Sequence, residues 1–183
     1  MHQPRPPRPR VYLAGPDIFF RDCEQIYRDL KAACERLGLK GIAPSDGGLD
    51  ADFTGSDDER ARRIYEGNIA LIRQVDGVIA NLMNFRGLEP DSGTVFEVGF
   101  AVALGKPVVV YGVPAGSYAR RVGAAMACTQ DATGVTRERD SGVMVEGLGQ
   151  RLNLMLACST AMASSAEAAL SQLARLIGRA AHP

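Results

Sequence analysis

The 183-residue chain is poor in the residues that build metal centres and disulfide frameworks. It has only two histidines and four cysteines, and Cys23, Cys34, Cys128 and Cys158 are widely spaced, with no CxxC pair. Structural zinc sites need clustered ligands, and disulfide-rich folds need more cysteines in a shorter chain. We therefore expect no bound metal, and reduced thiols in a cytoplasmic protein.

An excess of charge and long apolar runs are also absent. The 21 acidic and 21 basic residues balance to a formal net charge of zero, which does not favour a nucleic-acid partner. No apolar run approaches the roughly 18 residues that a membrane span needs, so we expect no membrane partner. The N-terminal segment is basic and proline-rich but lacks a hydrophobic stretch behind it, so it is not predicted to be a signal peptide.

Short apolar runs alternate with amphipathic segments along the rest of the chain. Strands are predicted at 10–14, 40–43, 76–82 and 106–111, with a poor edge strand at 160–163. Helices are predicted at 22–37, 59–74, 92–105, 118–127, 151–156 and from Ser164, in a capping box with Glu167, to about Arg179. Loops are predicted at 44–58 and, mobile and charged, at 131–140.

This alternation predicts an α/β protein with a flavodoxin-like, doubly wound sheet. We expect about five mostly parallel strands with helices on both faces. The domain organisation that follows is a disordered basic arm at residues 1–9 and a single α/β domain at 10–180. The motifs GxGxxG and GxxxxGK[ST] are absent, so a nicotinamide or P-loop function is not expected.

One charge stands out in the helix predicted at 92–105. From Val95 to Leu104 every side chain is apolar or absent except that of Glu97. A helix without a polar stripe is expected to be buried nearly all round. A buried carboxylate is costly unless it is paired, hydrogen-bonded or open to a cleft. Glu97 is therefore either a structural carboxylate that caps a neighbouring loop or, as we favour, a group that performs chemistry.

Ligands of open parallel sheets bind outside the carboxyl ends of the strands, where the strand order reverses. Gly15, Pro16 and Asp17 follow the first predicted strand, and the 82–92 loop follows the third and leads to Glu97. Asp91 and the three residues after it, Ser92, Gly93 and Thr94, offer a helix cap and free backbone N–H groups. By contrast, Asn68 lies on an otherwise apolar helix face and is expected to be structural.

Four blocks of the sequence resemble the nucleoside 2-deoxyribosyltransferases, in the same order along the chain. They are VYLAGPDIFF, IYEGNIALIRQVDGVIANL, FRGLEPDSGTVFEVGFAVALGKP and VEGLGQRLNLML. The part EPDSGTVFEVG is the most specific, and NLML is a second anchor. One departure is Asn81, which stands where the resemblance leads us to expect aspartate.

The resemblance implies an enzyme that exchanges the base of a 2′-deoxyribonucleoside for another purine or pyrimidine, without a cofactor. Glu97 would attack C1′ of the sugar and form a covalent deoxyribosyl intermediate, which a second base resolves with retention. Asp76 and Asp91 would lie at the base, one of them handling its proton, and Tyr12 would hold the nucleophile.

The resemblance also assigns substrate-binding positions. Those expected within the chain are Gly15, Pro16, Asp17, Phe19, Ser92 and Gly93, with the 17–19 loop lying against the base. Asn153 and Met155 would reach the 5′ side of the sugar from a neighbouring subunit, which implies a homo-oligomer.

Two other functions remain open from the sequence. The first is an N-glycosidase that hydrolyses 2′-deoxynucleoside 5′-monophosphates, which needs a phosphate pocket; Ser45, Arg86 and Ser92 are the nearest candidates. The second is a nucleotide sensor that binds without turnover and does not need Glu97.

Overall fold

A central parallel sheet organises the chain in the computed structural model, which describes residues 7–47 and 53–180. The strands are β1 (Arg10–Ala14), β2 (Lys40–Ile42), β3 (Gly77–Asn81), β4 (Val108–Tyr111), β5 (Cys128–Gln130), β6 (Thr136–Glu138) and β7 (Ala161–Met162). Five of them form the sheet in the order β2-β1-β3-β4-β7, and every neighbouring pair is parallel. The predicted fold class is confirmed.

The helices cover both faces of this sheet. They are α1 (Cys23–Arg36), α2 (Asp57–Gln74), α3 (Ser92–Ala103), α4 (Tyr118–Ala125), α5 (Leu154–Ser159) and α6 (Ala166–Ala180). Alternate side chains of a strand point to opposite faces. Val11 and Leu13 of β1 pack in the core formed with α1 and α6, whereas Tyr12 and Ala14 pack on the side of α2, α3 and α5. This alternation aims the Tyr12 side chain at α3.

The strand order places a crevice at the carboxyl end of β1. The chain passes from β1 to β2 on one side and reaches β3 on the other, so the connections that follow β1 and β3 diverge there. A 3-10 turn at Pro16–Phe19 follows β1, and a second 3-10 turn at Pro44–Gly47 follows β2.

The structure corrects the prediction that α3 is buried nearly all round. Val98 and Ala101 are fully buried, but Phe96 is 54 % exposed, and Gly99 and Ala103 are exposed as well. The reason is that α3 packs on the sheet and is flanked by α2 and α5, so that its outer face has no covering element within the described chain.

The predicted mobile loop at 131–140 is partly a strand. β6 pairs antiparallel with β5 in a separate two-stranded sheet. The turn between them is closed by Asp131, which accepts hydrogen bonds from Thr133 and from the Arg137 guanidinium at 2.8 Å. The polar sequence hid this hairpin because its stability comes from local side-chain bonds and not from an apolar face.

Two predictions fall partly outside the described residues. The structure does not describe residues 1–6 of the predicted arm or residues 48–52 of the predicted 44–58 loop. The rest of that loop holds the second 3-10 turn and the start of α2, which begins with a capping box between Ser56 and Glu59. Within residues 7–47 and 53–180, the helices are too short or too polar to cross a bilayer.

The start of α6 supports a stability prediction, because its cap is Ser165 and not the expected Ser164. The Ser165 hydroxyl accepts from the Ala168 backbone N–H at 3.2 Å. We expect Ser165→Ala to lower the free energy of unfolding by about 1 kcal/mol, measured by urea denaturation. Ser164→Ala is the matched control, and an equal loss in both variants would contradict the assignment.

Candidate active site

A cleft of about 480 Å³ opens at the carboxyl edge of the sheet, and Glu97 lies in its wall. Its lining comes from both 3-10 turns and from α2 and α3: Gly15, Ile18, Phe19, Pro44, Ser45, Gly47, Arg63, Ile64, Asn68, Asp91, Gly93, Thr94 and Glu97. Most of this surface is apolar, so the few polar groups that face it determine what it can bind.

Two hydrogen bonds hold the Glu97 carboxylate, and both reach the same oxygen. The Tyr12 hydroxyl donates to Oε1 at 2.7 Å, and Nδ2 of Asn68 donates to Oε1 at 3.3 Å. Within residues 7–47 and 53–180, no hydrogen bond reaches Oε2. The carboxylate is thus anchored through one oxygen, and the residue lines the cleft.

The pKa of the Glu97 carboxyl is shifted towards neutral pH. Burial raises the pKa of the Glu97 carboxyl to about 7, and the negative charge of Asp91 acts in the same direction. The hydrogen bonds from Tyr12 and Asn68 oppose the shift because they stabilise the ionised form. A carboxyl group with this pKa is ionised in a substantial fraction of molecules at neutral pH.

The amino end of α3 is built as predicted around Asp91. The Asp91 carboxylate caps the helix through Oδ2, which accepts from the Thr94 backbone N–H at 2.8 Å and from its hydroxyl at 2.9 Å. Gly93 packs against this carboxylate, and a Cβ there would lie 3.2 Å from Oδ2. Asp91, Gly93 and Glu97 therefore share one wall of the cleft.

The turn after β1 forms the opposite wall. Gly15 and Phe19 line the cleft, and the Phe19 ring stacks on Phe85 with the centroids 5.4 Å apart. Pro16 and Asp17 are buried behind this surface. Asp17 does not line the cleft. The turn therefore presents Phe19 to a ligand, while the carboxylate of Asp17 points inward.

Two residues expected at the site within the chain, Asp76 and Ser92, lie elsewhere in the structure, as do Asn153 and Met155, which are expected to act from a neighbouring subunit. Asp76 precedes β3 at the amino edge of the sheet, where its Oδ2 accepts from the Arg10 backbone N–H at 2.6 Å. This is the edge opposite the cleft, so the expected contact of Asp76 with a base does not fit the geometry. Ser92, Asn153 and Met155 line a second groove on the other side of the α3 amino terminus.

Asn68 is the site residue that the sequence interpretation missed. It was expected to be structural, but it lines the cleft and donates to Glu97. The available signal was the one that singled out Glu97, a lone polar side chain among apolar ones on a helix. Ile64, one turn earlier on α2, is half exposed and also lines the cleft.

Comparison with known proteins assigns the family. The family model for nucleoside 2-deoxyribosyltransferases matches residues 11–155, so the chain belongs to this family. Its members are enzymes that act on nucleosides and bases.

Individual proteins resemble this chain over different fractions of its length. A 2-desoxiribosyltransferase from Leishmania mexicana superposes with a TM-score of 0.69 at 31 % identity, covering 91 % of this chain and 97 % of that one. A conserved protein from Enterococcus faecalis V583 shares the fold, with a TM-score of 0.61 at 18 % identity, over 92 % and 99 % of the two chains.

The uncharacterized protein C191.05c of Schizosaccharomyces pombe is 32 % identical over 115 residues, which is 62 % of this chain. The chain spans about half the length of that curated relative, 54 %.

The raised pKa of Glu97 predicts that this residue lowers the free energy of unfolding increasingly as the pH rises. The unperturbed pKa of a glutamate is 4.5, so between that value and about 7 the native state binds more protons than the unfolded chain and stability falls as pH rises. Glu97→Gln removes this effect. We expect urea denaturation to show the variant gaining stability over the wild type, by at most about 3 kcal/mol, between about pH 5 and about pH 8.

Glu66, exposed on α2, provides the matched control. Glu66→Gln removes one carboxylate without touching the cleft, and its difference from the wild type should not grow over the same pH interval. A Glu97→Gln curve parallel to that of the wild type would contradict the raised pKa.

Proposed function

We propose that this protein transfers the 2-deoxyribosyl group of a nucleoside from one base to another, with Glu97 as the nucleophile. The observation that carries the proposal is the state of Glu97, which lines an apolar cleft, is held through Oε1 and has no hydrogen bond at Oε2 within the described residues. Family membership supports nucleosides and bases as the substrates, and a cleft of about 480 Å³ is large enough for a nucleoside.

The first half-reaction forms a bond between Glu97 Oε2 and C1′ while the bond from C1′ to the base nitrogen breaks. The electron pair of that bond leaves with the base nitrogen, which takes up a proton. Positive charge builds on the sugar as the bond breaks, and the carboxylate stabilises it before forming the ester, as in retaining glycosidases. Oε1 becomes the ester carbonyl oxygen and keeps the hydrogen bond from Tyr12.

Asp91 is the carboxyl group that we assign to proton transfer, because it shares the cleft wall with Glu97. Its Oδ2 caps α3, which leaves Oδ1 to face the base. Asp91 gives a proton to the leaving base and takes one back from the entering base, whose nitrogen attacks C1′ and releases Glu97. The two halves mirror each other, so the configuration at C1′ is retained and no cofactor takes part.

Removal of the nucleophile tests this mechanism. We expect Glu97→Ala to lower base exchange between 2′-deoxyinosine and adenine by at least about 1,000-fold, measured by chromatography of the nucleosides formed. In the wild type, donor without acceptor should leave a deoxyribosyl group on the peptide that contains Glu97, detected by mass spectrometry after acid quenching. Glu66→Ala is the control for loss of an acidic residue, and exchange that survives in Glu97→Ala would eliminate the mechanism.

A second candidate function is hydrolysis of 2′-deoxynucleoside 5′-monophosphates. The observation that favours it is the presence of Arg63 and Ser45 in the cleft lining, since an arginine and a hydroxyl can bind phosphate. Product analysis separates the two: deoxyribose 5-phosphate released at the same rate with or without acceptor base supports hydrolysis, and dependence on the acceptor supports transfer.

A homo-oligomer is part of the proposal because the chain alone leaves two surfaces incomplete. Asn153 is exposed and caps α5, accepting from the Met155 backbone N–H at 3.0 Å, and it faces away from the Glu97 cleft. The Met155 side chain is 70 % exposed. Beside it, the outer face of α3 exposes Phe96, Gly99 and Ala103. A second copy that covers this face would bring its Asn153 and Met155 to the sugar.

Subunit mixing tests whether Asn153 acts in a neighbouring site. Asn153→Ala and Glu97→Ala should each have low activity. If Asn153 serves the neighbour, mixing equal amounts through dilute denaturant and refolding should restore about a quarter of the wild-type activity in a dimer. The reason is that half of the dimers are mixed and each has one complete site. Each variant refolded alone is the control, and no recovery in the mixture would place Asn153 in its own subunit or outside the site.

A further inference from the structure

A buried carboxylate other than Glu97 lies directly behind the cleft. Asp17 is 6 % exposed, and its partner Asn81 is 8 % exposed. Nδ2 of Asn81 donates to both carboxylate oxygens of Asp17, at 3.0 and 3.2 Å. No lysine, arginine or histidine within the described part of the chain pairs with Asp17. The Asn81 amide is therefore the side-chain group that compensates for burying this carboxylate.

The same asparagine also binds the segment that follows its own strand. Oδ1 of Asn81 accepts from the Met83 backbone N–H at 3.3 Å. One side chain at the end of β3 therefore joins the 3-10 turn after β1 to the loop after β3. These are the two connections that diverge at the crevice, and the Asp17–Asn81 pair links them across it.

Two glycines leave space for the pair. A Cβ at Gly15 would collide with the Asp17 carboxylate, and a Cβ at Gly112 would collide with Oδ1 of Asn81. Gly112 also has a left-handed backbone with φ of 71°, which a side chain disfavours. The backbone at the ends of β1 and β4 thus approaches the pair closely, and this tightly constrains the position of the two side chains.

Both of the linked segments carry an aromatic ring. Phe19, in the turn after β1, stacks on Phe85, in the loop after β3, and the guanidinium carbon of Arg86 lies 4.8 Å from the centroid of Phe85. Arg86 has φ of 54°, the left-handed region that non-glycine residues seldom adopt. We refer to Phe19, Phe85 and Arg86 as the aromatic wall. The stacking of Phe19 on Phe85 joins the two segments, so it depends on their relative position.

We propose that Asp17 and Asn81 are positioning residues that hold Phe19, the member of the aromatic wall that lines the cleft, against the base of the substrate. The identity of that ligand rests on the proposed function, whereas the link between the pair and the wall does not. A flat, apolar ring is the surface on which a purine or pyrimidine packs. Loss of the pair should therefore weaken binding of the nucleoside more than it slows the chemistry at C1′.

Electrostatics argue against a purely stabilising role for the pair. Burial raises the pKa of Asp17, and the hydrogen bond from Asn81 opposes that shift. Tyr27 and Tyr111 are also close: burial first, and then the charge of Asp17, raises the pKa of each phenol. A carboxylate in such a place destabilises the fold relative to an apolar side chain. Its geometric role accounts for its presence.

The chain contains no tryptophan. A tryptophan introduced at position 19 is therefore the sole source of tryptophan fluorescence and reports on the wall directly. In the Phe19→Trp protein, Asn81→Asp places two carboxylates together at pH about 8, where they repel. We expect lower fluorescence anisotropy of Trp at position 19 and stronger quenching by acrylamide. Adding Asp17→Asn recreates the pair in reverse, with the amide at 17 and the carboxylate at 81, and should restore both signals. If Asn81→Asp does not fold, Asn81→Ala removes the donor without adding charge and serves in its place.

The kinetic readout uses the same substitutions in the protein that retains Phe19. We expect Asn81→Asp to raise KM for the donor nucleoside about tenfold with kcat changed less than about threefold, and the reversed pair to recover KM. Leu173→Ala is the control, because Leu173 is buried against Gly77 at the amino edge of the sheet and its loss destabilises the core without touching the pair.

The outcomes separate the two proposals. Unchanged fluorescence in Asn81→Asp, no recovery in a folded reversed pair, or equal loosening in Leu173→Ala would each overturn the positioning role. Absence of base exchange in the wild type would overturn the proposed function, and the fluorescence comparison would still decide whether the pair holds the wall.

Discussion

The site depends on one interaction, the hydrogen bond from the Tyr12 hydroxyl to the Glu97 carboxylate. Tyr12 comes from the middle of β1 and Glu97 from the second turn of α3, so the bond joins the sheet to the helix whose amino end borders the cleft. Burial makes the ionised carboxylate unfavourable, and the bond offsets part of that cost while fixing which oxygen is free. With the resulting pKa of about 7, Glu97 is ionised in part of the molecules near neutral pH, and the ionised form is the one that the proposed mechanism needs as a nucleophile.

The amino terminus of α3 separates two grooves, and this separation explains why the chain alone lacks part of the predicted site. Asp91, Gly93 and Thr94 face the Glu97 cleft, whereas Pro90, Ser92 and Val95 face the groove that holds Asn153 and Met155. A helix presents successive residues to different sides, so no rearrangement within one chain would bring both sets together without unwinding α3. The open apolar face of α3 and the distant Asn153 are thus two aspects of the same geometry, and the proposed second copy would account for both.

Sequence patterns predicted the secondary structure well wherever apolar residues were concentrated. β1 has the predicted bounds, Arg10–Ala14, and α3 begins at the predicted Ser92. The pattern failed where stability has another source. The β5–β6 hairpin is held by Asp131 and its polar neighbours, and α6 is capped by Ser165 and not by Ser164, because two adjacent serines are equivalent in sequence but only one faces the helix end.

The order of apolar and polar residues by itself determined the parallel α/β fold and marked Glu97, since a charge in an apolar helix is visible without coordinates. Tertiary structure alone decided what surrounds that charge. Asp76 and Asn68 lie on adjoining segments, yet strand direction places Asp76 at the far edge of the sheet, while the rotation of α2 turns Asn68 towards Glu97. Likewise, Asp17 and Asn81 are 64 positions apart, and only the adjacency of β1 and β3 brings them together. Periodicity is a local property of the chain, whereas the meeting of side chains depends on strand order and register.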